Sequence, residues 1–243
     1  MALEKGANIK LFIPCFLDQG APEVAGTVAG LLTRLGVAWE YPEDQTCCGQ
    51  FAWTAGDAAT ARRLMRHFLR VFAGAETILC PSASCTYLVR HCYPQLAEGF
   101  EEQGAVAALA ARVMELGEWL AGLGPLPWTP GFAGSLVLHQ SCKARQLGVL
   151  DCAREVLSQI KGLKLLTVSP YYTCCGFGGT FSLQHPGLAR DMGEAYLAAV
   201  TATGASGLVS LDYSCLLHLR GLGVAPARDL SFYHLAEVLM RGG

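Results

Sequence analysis

The sequence predicts an α/β protein made of two tandem repeated units with mostly parallel sheets, related by a pseudo-twofold. Three observations predict it. Short apolar runs alternate with amphipathic stretches of helical period along the whole chain. A pattern of Cys, then Cys-Cys-Gly, then Cys occurs twice, and its second copy starts 127 residues after the first (142 less 15, 174 less 47). The 243 residues, 52% hydrophobic and 16% charged, are enough to bury two moderate cores.

In the first half, Ile9 to Ile13 reads as a short strand that Pro14-Cys15 ends. Ala21 to Leu35 reads as a helix, with Val24, Val28, Leu31 and Leu35 on one face and Gly36 as its stop. Val37 to Tyr41 is expected to be a second strand leading into Cys47-Cys48-Gly49. Asp57 caps a helix running to about Val71, with Leu64, Phe68 and Phe72 spaced for burial. Thr77 to Leu79 forms a third strand that delivers Cys80 and Cys85, and a helical region from about Glu102 to Leu120 follows.

Trp119 to Cys142 is the longest stretch without Asp, Glu, Lys or Arg, but Pro125, Pro127 and Pro130 break any continuous helix through it. It reads as the connection between units 1–124 and 125–243, not as a membrane span. The second half repeats the order. Leu136 to Leu138 leads to His139-Gln140-Ser141-Cys142, and a helix over roughly Leu147 to Ile160 buries Val149, Ala153, Val156 and Ile160. Leu163 to Val168 is a strand, and Cys174 to Gly179 is a loop. Pro186 starts a helix to about Ala202, Leu208 to Leu211 leads to Cys215, and Ser231 caps a last helix with Leu235, Val238 and Leu239.

The net charge of −2 gives no electrostatic case for nucleic acid. The first six residues lack the apolar core of a signal peptide, which predicts a cytoplasmic protein. Eleven cysteines, an odd number, do not make a disulfide framework in that compartment. Eight fall in the repeat: Cys15, Cys47, Cys48 and Cys85, then Cys142, Cys174, Cys175 and Cys215. Cys80, Cys92 and Cys152 lie outside it and read as small buried hydrophobes.

All eight repeated cysteines follow predicted strands, and ligands of open α/β sheets gather beyond the carboxyl ends of strands. Four thiolates per half are therefore a candidate metal set, and thiolates select zinc, Cu(I) or iron–sulfur clusters. Structural zinc usually takes two close Cys-x-x-Cys pairs. Adjacent cysteines diverge and suit the separate iron corners of a four-iron cluster better. Gly49 and Gly176, with Gly178 and Gly179 in the second loop, let the backbone come close and donate N–H groups to sulfur. The second loop lacks the full dinucleotide-binding fingerprint. His139 is a candidate for a bond to a ligand sulfur or for facing substrate, with a structural histidine as the alternative. Lys143 and Arg145 are placed to offset cluster charge, with ordinary surface cations as the alternative. The other histidines show no metal-ligand spacing, and no Ser-His-Asp or paired-carboxylate set stands out.

The doubled motif resembles the tandem cysteine-rich CCG domain. That domain is shared by the heterodisulfide reductases, the iron–sulfur subunits of glycolate oxidase and anaerobic glycerol-3-phosphate dehydrogenase, and the lactate utilization protein A (LutA/YkgE) family. The flanking text is most similar to the last of these, in Pro42 to Gln50, Ser84 to Tyr87, Cys174 to Ser182, Asp212 to Leu216 and His234 to Leu239. The resemblance implies an iron–sulfur electron-transfer component of an L-lactate-oxidising system, holding one or two [4Fe-4S] clusters. It also implies sister subunits, including a second iron–sulfur protein. The fullest family form ends in Cys-x-x-Cys, and here Ser82 and Asp212 stand at the first of those positions. That leaves four cysteines per half and argues against the five-cysteine arrangement of the heterodisulfide reductases, unless Cys80 supplies a fifth. A thiol/disulfide oxidoreductase and a zinc-holding assembly module are the competing readings.

Overall fold

A computed structural model describes residues 9–168, 174–223 and 229–241. The chain divides into two units, Met1–Leu123 and Gly124–Gly243. In the first, β1 (Ile9–Leu11) runs into α1 (Cys15–Gly20) and α2 (Pro22–Arg34). Pro22 opens α2, where its missing N–H is no loss, and Val24, Val28, Leu31 and Leu32 face the core. Next come β2 (Trp39–Glu40), α3 (Gln50–Thr54) and α4 (Ala58–Val71). Asp57 caps α4 by accepting from the Thr60 N–H at 3.0 Å. Phe12, Phe68, Phe72 and Tyr93 form an edge-on and stacked aromatic cluster beneath it.

β3 (Thr77–Cys80) is buried along its whole length, which is why it reads as an unbroken apolar run. It is followed by α5 (Ala83–Tyr87), a π-helical turn (Leu88–Cys92), α6 (Tyr93–Ala97), α7 (Gln103–Ala110), β4 (Val113–Glu115) and α8 (Leu116–Leu123). The expected single helical region from Glu102 to Leu120 is thus three elements, with a strand in the middle. Its three residues pair with Ile78, Leu79 and Cys80 of β3.

In the second unit the order is β5 (Gly131–Leu138), α9 (Cys142–Leu147), α10 (Leu150–Ser158), β6 (Lys161–Leu166), α11 (Phe181–Gln184) and α12 (Pro186–Ala202). Then come β7 (Gly207–Ser210), α13 (Tyr213–Gly221), β8 (Ser231–His234) and α14 (Leu235–Leu239). Two expectations are corrected here. The helix from Leu147 to Ile160 is broken by Gly148, which ends α9 in the left-handed conformation (φ +77°). Ser231 opens β8 instead of capping the last helix, and the cap is His234. Its Nδ1 accepts from Ala236 N–H at 3.3 Å while its own N–H donates to Glu237 at 2.7 Å.

Every strand pairing among the described residues is parallel, and the orders are β2-β1-β3-β4 and β6-β5-β7-β8. Both follow the flavodoxin-like doubly wound order, in which the crossovers leave the first strand in opposite directions. The crevice at that reversal lies beyond β1 and β3 in one unit and beyond β5 and β7 in the other. β6 is an edge strand with no buried residue. No helix among the described residues is long and apolar enough to cross a membrane.

Candidate metal centres

In the first unit β1 delivers Cys15 as the first residue of α1, after Pro14. Its Sγ lies 3.7 Å from Cys47 Sγ. Gly49, at φ +92°, turns the chain so that its N–H donates to Cys47 Sγ at 3.3 Å. Cys48 points into the core with its Sγ 3.2 Å from Cys85 Sγ, and Tyr93 holds the loop by donating to the Cys48 carbonyl at 2.6 Å. Cys85 sits on α5, whose cap is Ser82 Oγ, accepting from the Cys85 N–H at 3.4 Å. Cys80, fully buried at the end of β3, hydrogen-bonds with Cys85 as well.

Sulfur here is crowded, and the thiols share their protons unevenly. Hydrogen bonds from Cys15 and Cys48 hold the pKa of Cys47 down to about 3. Those from Cys48 and Cys80 hold that of Cys85 at about 5. The donors move the other way. Cys15 is raised by its bond to Cys47, Cys48 by its bonds to Cys47 and Cys85, and Cys80 by burial. Repulsion among thiolates keeps such a group from ionising fully without a cation, and soft metal ions are the cations thiolates prefer. The donor set therefore fits a thiolate-bound metal or cluster.

In the second unit Cys142 opens α9 after Ser141, whose Oγ caps the helix at 3.2 Å from Ala144 N and donates to Asp212 Oδ2 at 2.5 Å. Cys142 is exposed and feels the charges of Cys174 and Asp212. Gly176 N–H points at Cys174 Sγ at 3.5 Å, the counterpart of the Gly49 contact. Gly176, Gly178 and Gly179 all have positive φ, at +86°, +58° and +66°. Cys175 hydrogen-bonds with both Cys174 and Cys215. His139, buried at the end of β5, completes a group with Cys175 and Cys215 whose ligand atoms lie within 4.8 Å of one another.

The structure thus links Cys15 to Cys47 and Cys48 to Cys85, with Cys80 added. In the second unit it gathers Cys174, Cys175, Cys215 and His139 and leaves Cys142 at the rim. Residues 9–90 and 136–220 each match the cysteine-rich CCG domain family. Over 238 residues, 97% of this chain and 98% of the relative, the sequence is 34% identical to lactate utilization protein A 2 of Bacillus cereus (strain Q1). The chain belongs to the lactate utilization protein A family. Lactate utilization protein A of Geobacillus kaustophilus (strain HTA426) is likewise 34% identical, over 96% of this chain and 98% of that one. A solved structure of a hypothetical protein from Helicobacter pylori shares the fold at 9% identity and a TM-score of 0.66, covering 98% of this chain and 50% of that one.

Within this member of the lactate utilization protein A family, Ser82 and Asp212 take different roles at equivalent places. Ser82 caps a helix, and Asp212 accepts from Ser141. Lys143 is half-buried and donates to Gln146, whereas the bond to Cys175 and burial push the Cys174 thiol up, with the charge of Arg145 opposing them. Asp212 carried no sequence signal beyond replacing a cysteine. Its burial, at 1% exposure, is what brings it to the centre.

Proposed function

We propose that this chain is an iron–sulfur electron-transfer component of an L-lactate-oxidising system. In this reading Cys15, Cys47, Cys48 and Cys85 hold one [4Fe-4S] cluster in unit 1–124. Cys142, Cys174, Cys175 and Cys215 are the cysteine ligands in unit 125–243. Bound there, such a cluster supplies one-electron redox chemistry at a potential set by its ligands and their hydrogen bonds. The chain's own contribution is to bury one cysteine pair in each unit, to aim the Gly49 and Gly176 N–H groups at Cys47 and Cys174, and to exclude water with the packed β3 and β7 strands. Gly178 and Gly179 shape the rest of the second cradle.

One observation carries the reading. Two sulfur sets, each with a buried pair (Cys48 and Cys85, Cys175 and Cys215), lie at equivalent sheet crevices in a chain that matches relatives named for lactate utilization along nearly its whole length. Oxidation of lactate to pyruvate releases two electrons, and a relay of one-electron centres suits that stoichiometry. The partners are then sister cytoplasmic subunits, one with iron–sulfur clusters of its own. Anaerobic purification followed by iron, acid-labile sulfide and zinc analysis tests this. Iron and sulfide in near-equal amounts are expected, and stoichiometric zinc without sulfide overturns the reading.

A further inference from the structure

Backbone hydrogen bonds make positions 12 and 139 equivalent. Phe12 N–H donates to Leu79 O at 2.9 Å, and His139 N–H donates to Val209 O at 2.8 Å. Each is the first residue beyond the central strand of its sheet. In the first unit the place is filled by hydrocarbon: Phe12 is fully buried, edge-on to Phe68 and Phe72 at 4.9 and 5.6 Å. In the second it is filled by an imidazole that is 1% exposed and edge-on to Tyr196 at 4.8 Å. Neither Nδ1 nor Nε2 of His139 has a hydrogen-bond partner among the described residues, and the buried Tyr196 hydroxyl lacks one too. A buried polar group left unsatisfied is costly, because it has given up its water without a partner. Cys175 and Cys215 lie within 4.8 Å of the ring's ligand nitrogen.

We propose that His139 is a nitrogen ligand of the second unit's metal centre, beside Cys175 and Cys215. The two centres then differ in kind, one sulfur-only and the other mixed. Tetrahedral metal–nitrogen and metal–sulfur bonds of about 2.0–2.3 Å put two donors of one ion about 3.3–3.8 Å apart, so side-chain adjustment of about 1 Å closes the set. Coordination also accounts for an imidazole where the repeat otherwise has phenyl, since neutral histidine is the commonest nitrogen ligand. The inference rests on the iron–sulfur reading for the nature of the metal but not for the role of His139. A neutral imidazole adds no negative charge to the ligand shell where a thiolate would, which favours the reduced state.

The test uses full-length protein labelled with 15N-histidine, purified anaerobically, reduced and measured by pulsed electron paramagnetic resonance. A strong coupling to a directly bound nitrogen is expected, and it should vanish in His139→Phe, which installs the first unit's residue. His139→Cys should keep the iron content and lower the potential of one centre. Cluster signals without bound-nitrogen coupling, or coupling that persists in His139→Phe, overturn the inference and leave the iron–sulfur reading standing. The wild-type spectrum decides even where a variant does not fold. If the metal is zinc without sulfide, the iron–sulfur reading fails by itself. X-ray absorption at the zinc edge then decides the inference, since a nitrogen in the shell that His139→Phe removes supports it and a sulfur-only shell overturns it. Protein that binds no metal overturns both.

Discussion

Gly49 and Gly176 occupy the same place in the repeat, but a methyl group added at each meets different surroundings. At Gly49 it would touch Leu64 side-chain atoms at 3.3 Å, which can give way. At Gly176 it would lie 2.2 Å from the Ala189 backbone carbonyl of α12, which cannot. Both positions need the left-handed conformation, which costs a non-glycine residue about 1–2 kcal/mol. Gly176→Ala should cost about 1–3 kcal/mol more than Gly49→Ala because of overpacking. Urea denaturation of the two variants checks the order, and equal losses would show that α12 yields. The cysteines sort in the same way. Cys175 is buried against Cys174 and Cys215, whereas Cys152 is half-buried on α10. Cys175→Ser is expected to lower bound metal and abolish lactate-dependent growth, while Cys152→Ser leaves both intact at matched protein levels. Equal growth defects would mean that ligand and packing cysteines have been confused. Spacing alone made the eight repeated cysteines legible. It could not show that Cys80 joins Cys85, because that contact depends on where β3 ends relative to the turn of α5.

Elements with one exposed and one buried face were the readable ones. The capped helix from Asp57 and the long helix from Pro186 to Ala202 carry both a start signal and an apolar stripe. The run from Ala83 to Ala97 carries neither in clear form. It is buried on several sides, holds a π-helical turn and contains Pro94, so its pattern has no single period. β4 is three residues long, shorter than one helical turn, and disappears between α7 and α8. Arg90 ties these unreadable pieces together. It donates to the Val113 carbonyl at 2.6 Å and meets both Glu118 carboxylate oxygens, at 3.2 and 2.8 Å. Lysine cannot make that forked contact. Arg90→Lys should destabilise the first unit by about 1.5–3 kcal/mol, the range for hydrogen bonds to charged groups. A change within error in the urea midpoint would mean that water replaces the contact.

Each whole unit is a short parallel sheet whose crevice carries sulfur instead of a nucleotide, so fold and chemistry are joined at the strand ends. A metal held only by the folded state stabilises that state by mass action. Chelation or oxidative loss of the metal should therefore lower the thermal midpoint by several degrees, read by circular dichroism. It should also split the transition if the two units lose metal unequally. An unchanged midpoint after complete metal removal would mean that packing alone organises the cysteine loops.

The outer strand of the second sheet has a consequence for life in a crowded solution. Among the described residues β6 pairs with β5 on one side only, and it spans six residues, none of them buried. A backbone ladder left open in this way is a template onto which another chain's strand can add, the first step toward precipitation. Lys161 and Lys164 stand on that strand, at its exposed positions. Each such charge brought against another copy meets its own kind and must shed its water. Removing both, in Lys161→Thr/Lys164→Thr, is expected to leave the fold intact while light scattering rises sharply on mild heating. Scattering no greater than wild type would mean that the strand's outer edge is shielded by something other than charge.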